Sequence, residues 1–311
     1  MLKLAHLPNV AGPLTRHNLD MYLRGQFKGA KLMHYHTLEQ IAQLEIERPG
    51  GTYLKRLSNI VRDDGTWPAT VDLVASEWAE QILAVWPWCK IFQADNEVNL
   101  IAPLKTPSGQ PRHWYWQWLC GEIIRATRQK LTERWQMQLA LSMPGLTPDA
   151  RLTIIKHRQK SVQFGLCPFA YNPSTWQDVN ERWLPAADAL VKAGLVQRIG
   201  CNAYWQYSKH RLEGGFGGWP AHLHKRYPTL EMDVYEWGCS IAHVFEDWQD
   251  ISPDALAICR GQMLEDYRPW LTWASQEPYL GTTTLYLALQ GTREWDGFTP
   301  DTRVLDSISH L

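Results

Sequence analysis

The sequence has no CxxC pair. Its six cysteines, Cys89, Cys120, Cys167, Cys201, Cys239 and Cys259, are scattered along 311 residues. That scatter excludes a zinc-knuckle pattern and a dense disulfide framework. They read as buried free thiols, an arrangement that favours a reducing compartment. A basic stripe is missing too. With 31 Lys and Arg against 32 Asp and Glu, neither a nucleic-acid partner nor a charged tail is expected. No apolar run approaches membrane-spanning length, and the opening "MLKLAHLPNVAGP" lacks the apolar stretch of a signal peptide. As it stands the sequence reads as cytoplasmic, or as exported with a leader ahead of it, and no membrane partner is expected. No Gly-rich phosphate fingerprint follows the first strand-like run. Internal repeats and low-complexity linkers are absent as well, so residues 1–311 read as one domain.

Tryptophan is in excess, with 17 residues. Core filling takes some of them, and the rest are candidates for stacking on flat apolar faces such as sugar rings. Short β-like runs alternate with helical patterns along the chain. Eight strand candidates emerge: "KLAHLPNV", "KGAKLMHYH", "GTYLKRLS", "CKIFQADNEVNL", "QMQLALSMPG", "LVQRIGCNAYWQ", "EMDVYEWGCS" and "GTTTLYLALQ". The apolar spacing predicts helices near Arg16 to Gly25 and from Thr70 onward, the latter with Leu73, Val74, Trp78 and Ile82 on one face. Further helices are predicted from about Trp114 to Trp135, around Asp254 to Trp273 and near Thr302 to Leu311. Strict alternation of eight strands with helices argues for an α/β fold, a single (β/α)8 TIM barrel, over a doubly wound open sheet.

In such a barrel the functional residues sit at the C-terminal ends of the strands. Two glutamates stand there, Glu97 after strand four and Glu236 at strand seven. Hydrolysing a glycosidic bond with retention needs a carboxylic acid to protonate the leaving oxygen. It also needs a carboxylate about 5 Å away to attack the anomeric carbon. Their environments must push the two pKa values apart. The interval between Glu97 and Glu236 is longer than three ordinary β/α units require, and the excess is expected after strands five and six.

These motifs resemble those of clan A of the retaining glycoside hydrolases. "QADNEVN" is similar to the clan's Asn-Glu signature at the end of strand four, and "DVYEWG" to its strand-seven nucleophile motif. The resemblance implies Glu97 as acid/base, Glu236 as nucleophile and Asn96 as the hydrogen-bond partner of the sugar 2-hydroxyl. It also implies Tyr204 as the strand-six tyrosine that contacts the nucleophile, and Arg56 as the clan's strand-end arginine. The clan's strand-eight tryptophan has no counterpart at the end of "GTTTLYLALQ", which turns attention to Gln290 and Trp295 for the floor under the sugar. The expected activity is hydrolysis of a β-linked oligo- or polysaccharide by double displacement. Carbohydrate is the expected partner, and no cofactor or metal is called for.

Each of these residues also has a plainer reading. Glu97 or Asp95 caps the loop after strand four, Glu236 is a structural carboxylate paired to Arg56, and Tyr204 packs at the barrel mouth. Trp205, Trp219 and Trp237, assigned to rim loops, are the sugar-stacking candidates, whereas "HWYWQW" (His113 to Trp118) reads as helix packing. "EGGFGGWP" reads as a mobile loop. A rival site starts from His34 and His36, which at i and i+2 on a strand point the same way. A metal-dependent barrel hydrolase uses such a pair with further ligands from other strand ends. His36 is alternatively a contact for a sugar hydroxyl. A third reading is a non-catalytic carbohydrate-binding barrel, against which the presence of both glutamates counts.

Overall fold

Eight strands close a barrel in chain order: β1 (Leu2–His6), β2 (Gly29–Leu32), β3 (Thr52–Arg56), β4 (Cys89–Gln93), β5 (Gln163–Leu166), β6 (Arg198–Trp205), β7 (Glu231–Cys239) and β8 (Leu280–Leu285). Strand β1 pairs in parallel with both β2 and β8, and β4 with β5, β6 with β7 and β7 with β8 do the same. The computed structural model describes residues 1–7, 12–62, 64–166, 169, 175–205, 218–239, 253–285 and 300–311, with the backbone alone for Tyr204, Trp205, Cys239, Ala255 and Cys259.

The first helices are α1 (Arg16–Arg24), α2 (Leu38–Glu47) and α3 (Val71–Leu83). After β4 come α4 (Val98–Ile101), α5 (Arg112–Ser142) and α6 (Pro148–Ser161). After β5, α7 (Trp176–Asp178) runs through one π-helical stretch, Val179–Trp183, into α8 (Leu184–Lys192). The last are α9 (Gly218–Arg226), α10 (Pro253–Gln276) and α11 (Thr302–Ile308). Four of them begin at a threonine whose side chain caps the helix. Thr15, Thr37, Thr70 and Thr147 sit in extended backbone, and each side-chain oxygen accepts one of the N–H groups that the first helical turn leaves unpaired. Asn18 and Gln40 close capping boxes on Thr15 and Thr37. The Thr70 start matches expectation. Leu73 does not, because it is exposed while Val74, Ala75, Trp78 and Ile82 form the buried face of α3.

The structure corrects the place of strand five. "QMQLALSMPG" lies largely in α5, whose 31 residues continue to Ser142, and β5 is "QFGL". Gln136 to Leu141 alternate like a strand. The buried residues are nevertheless Leu131, Trp135 and Leu139, four apart, while Met137 and Leu141 are exposed. Helical period wins over the local alternation. The long stretch between Glu97 and Glu236 is corrected with it: much of the excess lies between β4 and β5, as α5 and the 14 residues of α6.

The chain divides into two compact units, Met1–Leu54 with Tyr171–Pro173 and Arg198–Leu311, and Lys55–Ala170 with Ser174–Gln197. In the first, Arg198 at the start of β6 forks onto Asp233, with Nε to Oδ2 at 2.6 Å and Nη2 to Oδ1 at 2.7 Å, and also pairs with Glu231. Thr282 of β8 donates to Asp233 Oδ1 at 2.6 Å. These groups tie together the N-terminal ends of three strands, the face of such a barrel where polar contacts serve stability. In the second unit Trp78 stacks on Phe164, and Trp116, Phe169 and Trp183 form one aromatic cluster. Among the described residues seven tryptophans are fully buried: Trp78, Trp116, Trp135, Trp183, Trp219, Trp237 and Trp270. For these, core filling accounts for the surplus. Cys89, Cys120 and Cys201 are buried free thiols. No helix among the described residues is long and apolar enough to cross a membrane.

Candidate active site

Glu236 lies within β7, and an irregularity in that strand decides where it points. Side chains alternate along a strand, so with Glu231 and Asp233 turned toward Arg198, residue 236 belongs on the opposite face. The β6–β7 pairing runs Cys201 to Val234 and then Asn202 to Glu236, so Tyr235 is an extra residue on β7. Such a bulge re-aims the residues that follow it. Gly200 makes room for it: a Cβ at that position would lie 1.8 Å from Cε2 of Tyr235.

The contacts of Glu236 show the result. Its Oε1 is 2.5 Å from Nζ of Lys31 on β2 and 3.7 Å from Nε2 of His6 on β1. In the barrel order β1 is two strands from β7 and β2 is three, so these contacts cross the lumen. Register agrees. Trp237 pairs with Leu285, Leu285 with Ala5, and Ala5 with Ala30. One residue further on, His6 pairs with Lys31 and shares its face. Lys31 is fully buried and the Glu236 side chain is 7% exposed. Charges held so far from water persist because they are paired. The Tyr235 ring adds a face 5.9 Å from the same ammonium.

His6 is fixed differently. Its Nδ1 is 2.7 Å from the carbonyl of Leu7. A carbonyl oxygen only accepts, so the Nδ1 proton stays there. Burial holds the imidazole below its ordinary pKa, with the Lys31 charge adding to that and Glu236 opposing it. The neutral ring therefore turns its Nε2 lone pair toward Oε1.

In the second unit, the residues after β4 form a strained turn. Asp95 and Glu97 both have left-handed backbone, at φ 67° and φ 46°. Non-glycine residues hold such angles at a cost of about 1–3 kcal/mol each, and only where the surroundings impose them. Asp95 supplies the constraint. Fully buried, it accepts from the Asn96 N–H at 2.8 Å through Oδ1 and from Trp116 Nε1 at 3.2 Å through Oδ2. Burial pushes its carboxyl up to about 6, against those two hydrogen bonds and the nearby charge of Arg56.

Gln93 completes the turn and fixes an amide orientation. Its Nε2 donates to the Asp95 carbonyl at 3.0 Å and to Asn96 Oδ1 at 2.9 Å. The carbonyl must be an acceptor, so this end of Gln93 is the NH2 group and the atom of Asn96 facing it is oxygen. Asn96 is left with Nδ2–H as its donor. Glu97 stands at the N-cap of α4 but makes no capping hydrogen bond with its side chain. The loop-capping role falls to Asp95, not Glu97.

Other expected residues fall elsewhere. Trp237 is fully buried, stacked on Trp270 of α10 at 4.5 Å with Tyr267 at its edge. It packs between β7 and a helix and offers no face to a sugar, because the bulge turns Glu236 and not Trp237 into the lumen. Trp219 is likewise buried, in α9 rather than on a loop, and stacks on His222. His36 is 1% exposed and its Nδ1 accepts from the Met33 N–H at 2.9 Å. It serves the turn after β2.

His34 and His36 lie beyond the end of β2 in that turn, one exposed and one buried, so they do not share the face a metal pair needs. Among the described residues no group of three or more potential ligands gathers. Arg56 ends β3 with Nη2 on Asn59 Oδ1 at 3.2 Å, and Lys31 supplies the ion pair that the plainer reading of Glu236 sought from Arg56. Tyr204 and Trp205 close β6. Their side chains, most of "EGGFGGWP", Gln290 and Trp295 lie outside the described residues. Sequence reasoning missed Lys31, His6, Gln93 and Trp116. A lysine inside "GAKL" and a histidine ending "LKLAH" were the available signals.

No protein-family model matches the chain, and no curated protein matches it. Solved structures do. CbXyn10B in native form aligns over 100% of this chain and 96% of its own, at 10% identity and a TM-score of 0.54. An endo-1,4-beta-xylanase from Caldicellulosiruptor owensensis aligns over 91% and 84%, at 11% identity and 0.51. A calcium-binding mutant of Bacteroides uniformis beta-glucuronidase 2 aligns over 91% of this chain at 15% identity and 0.51, and this chain spans 30% of that protein. The likeness is one of fold: all three share the barrel architecture at low identity.

Proposed function

We propose that this chain is a retaining β-glycosidase acting on a β-linked oligo- or polysaccharide, with Glu236 as nucleophile and Glu97 as acid/base. The observation that carries the reading is the buried carboxylate of Glu236, turned into the lumen of a (β/α)8 barrel by a bulge at Tyr235. A carboxylate there is costly unless it is used or balanced. The left-handed turn at Asp95–Asn96–Glu97 adds a second indication, since strain of this kind gathers at functional sites. The fold neighbours include a xylanase and a glucuronidase, and both act on glycosidic bonds by name.

In the first step an oxygen of Glu236 attacks the anomeric carbon while Glu97 gives its proton to the departing oxygen. The carboxylate becomes a glycosyl ester and Glu97 becomes a base. In the second step Glu97 takes a proton from water, the water oxygen bonds to the anomeric carbon, and Glu236 leaves as carboxylate. Asn96, with its oxygen held by Gln93, offers Nδ2–H to a sugar hydroxyl. Tyr204 and Trp205 remain the proposed contacts to nucleophile and sugar from β6.

A panel of aryl β-glycosides and β-glucan, xylan and mannan tests this, with the anomer of the first-formed product read by NMR. Turnover with retained configuration supports the reading. Binding without turnover points instead to a non-catalytic carbohydrate-binding barrel, and an inverted product rules out double displacement.

A further inference from the structure

We propose that Lys31 is the positioning residue of this double displacement, an ammonium that keeps Glu236 ionised and fixes the orientation of its carboxylate. The inference rests on the functional reading above and assigns a role to a residue that no sequence motif singles out. Among the described residues, the titratable groups that reach Glu236 include Lys31 from β2 and His6 from β1, and the Tyr235 ring lies 5.9 Å from the Lys31 ammonium.

Lys31 makes the closer contact to Oε1, and His6 the more distant one. The His6 proton is committed to the Leu7 carbonyl, and its Nε2 stands 3.7 Å from Oε1, beyond hydrogen-bond length. A neutral imidazole carries no net charge to balance the carboxylate, so the balancing charge must come from a cation. Lys31 is that cation. Its Nζ lies 2.5 Å from the same oxygen in a site with no water-facing surface of its own, and low effective dielectric strengthens such an attraction. Lys31 and His6 approach this one oxygen from two strands. The ammonium thereby restrains rotation of the carboxylate as well as its protonation.

The role also follows from the charge changes of the reaction. Glu236 is negative in the resting enzyme and neutral as the ester, so the site must hold both states without rearranging. A lysine anchored mid-strand in β2, paired in register with His6, provides a positive charge that does not move between them.

The test compares wild type with Lys31→Met and Lys31→Arg. The Glu236 carboxyl is followed by 13C NMR titration, assigned through Glu236→Gln, and the acid limb of kcat/KM is followed on an activated aryl β-glycoside. Lys31→Met is expected to raise the Glu236 midpoint by more than one pH unit and to move the acid limb upward with it. It should lower kcat more than tenfold and change KM little. Lys31→Arg should restore part of each. If Lys31→Met does not fold, Glu236→Gln reads the same coupling from the other side, as a fall of more than one pH unit in the Lys31 Cε titration. Unmoved midpoints in an active enzyme overturn the role of Lys31 alone. No turnover by wild type on any glycoside, with the coupling intact, overturns the glycosidase reading and the catalytic part of this inference with it.

Discussion

Nζ of Lys31 lies 2.5 Å from Oε1 of Glu236 across the lumen of the barrel, and neither charge has more than a trace of solvent contact. Removing one partner of such a pair leaves the other buried and uncompensated, at a cost of about 3–5 kcal/mol. Lys31→Met should therefore destabilise the protein by about that amount in urea unfolding at pH 7. The double variant Lys31→Met with Glu236→Met should recover most of the loss, because two well-packed apolar groups often match or exceed a buried ion pair in stability. Additive losses in the double variant would show that the two side chains contribute separately.

Trp237 gives a prediction opposite to the one its sequence position suggests. Stacked on Trp270 with Tyr267 against its edge, it is a packing residue, and Trp237→Ala should cost about 3–5 kcal/mol of stability through the cavity it leaves. At a temperature where the variant remains folded, KM for an aryl glycoside should stay within about twofold of wild type. A variant of native stability with weakened saccharide binding would return Trp237 to the sugar site.

Asp95 predicts how stability changes with pH. Its carboxyl is raised from 3.8 to about 6, chiefly by burial. A group raised in the folded state contributes stability that is fully present below its unfolded pKa and is lost as pH rises through its folded pKa. The wild type should accordingly lose about 3 kcal/mol relative to Asp95→Asn between pH 3.8 and about 6, and hold that difference at higher pH. Denaturant titrations of both proteins from pH 3.5 to 8 measure it. A constant difference across that range would mean Asp95 is not held protonated by burial.

The barrel was legible because period is legible. Seven of the eight strand candidates overlap observed strands, and the threonine at position 70 begins its helix. Strand five was hidden because "QFGL" is only four residues long and carries a glycine, while the end of α5 imitates strand alternation over six residues. The two glutamates stand out as candidates from residue type and place at strand ends. Their surroundings do not. Lys31 and His6 reach Glu236 from strands more than 200 residues away in the chain, and no local pattern records a contact across a lumen. The bulge at Tyr235 changes which neighbour faces inward, so reading "EWG" by simple alternation misplaces Trp237. His34 and His36 fail for a related reason: β2 stops at Leu32, and the i, i+2 rule lapses with it.

The two carboxylates should separate in kinetics even though both are glutamates. If Glu236 is the nucleophile, Glu236→Ala removes the atom that bonds to the anomeric carbon, and hydrolysis should fall to background on every substrate. Azide, small enough to occupy the vacated space, should restore turnover and yield a glycosyl azide of inverted configuration, because one displacement replaces two. If Glu97 is the acid/base, its loss matters in proportion to how much the leaving group needs a proton. Glu97→Ala should lower kcat/KM by about 10²–10⁴-fold on an alkyl or sugar leaving group. On a dinitrophenyl glycoside, whose leaving group departs as a stable anion, the first step should be nearly unaffected and ester hydrolysis should become limiting. A burst of phenolate followed by slow turnover is the expected trace. The ester should then be observable on Glu236 by mass spectrometry. Equal losses on good and poor leaving groups would remove Glu97 from the acid/base role, and a label on any other carboxylate would remove Glu236 from the nucleophile's.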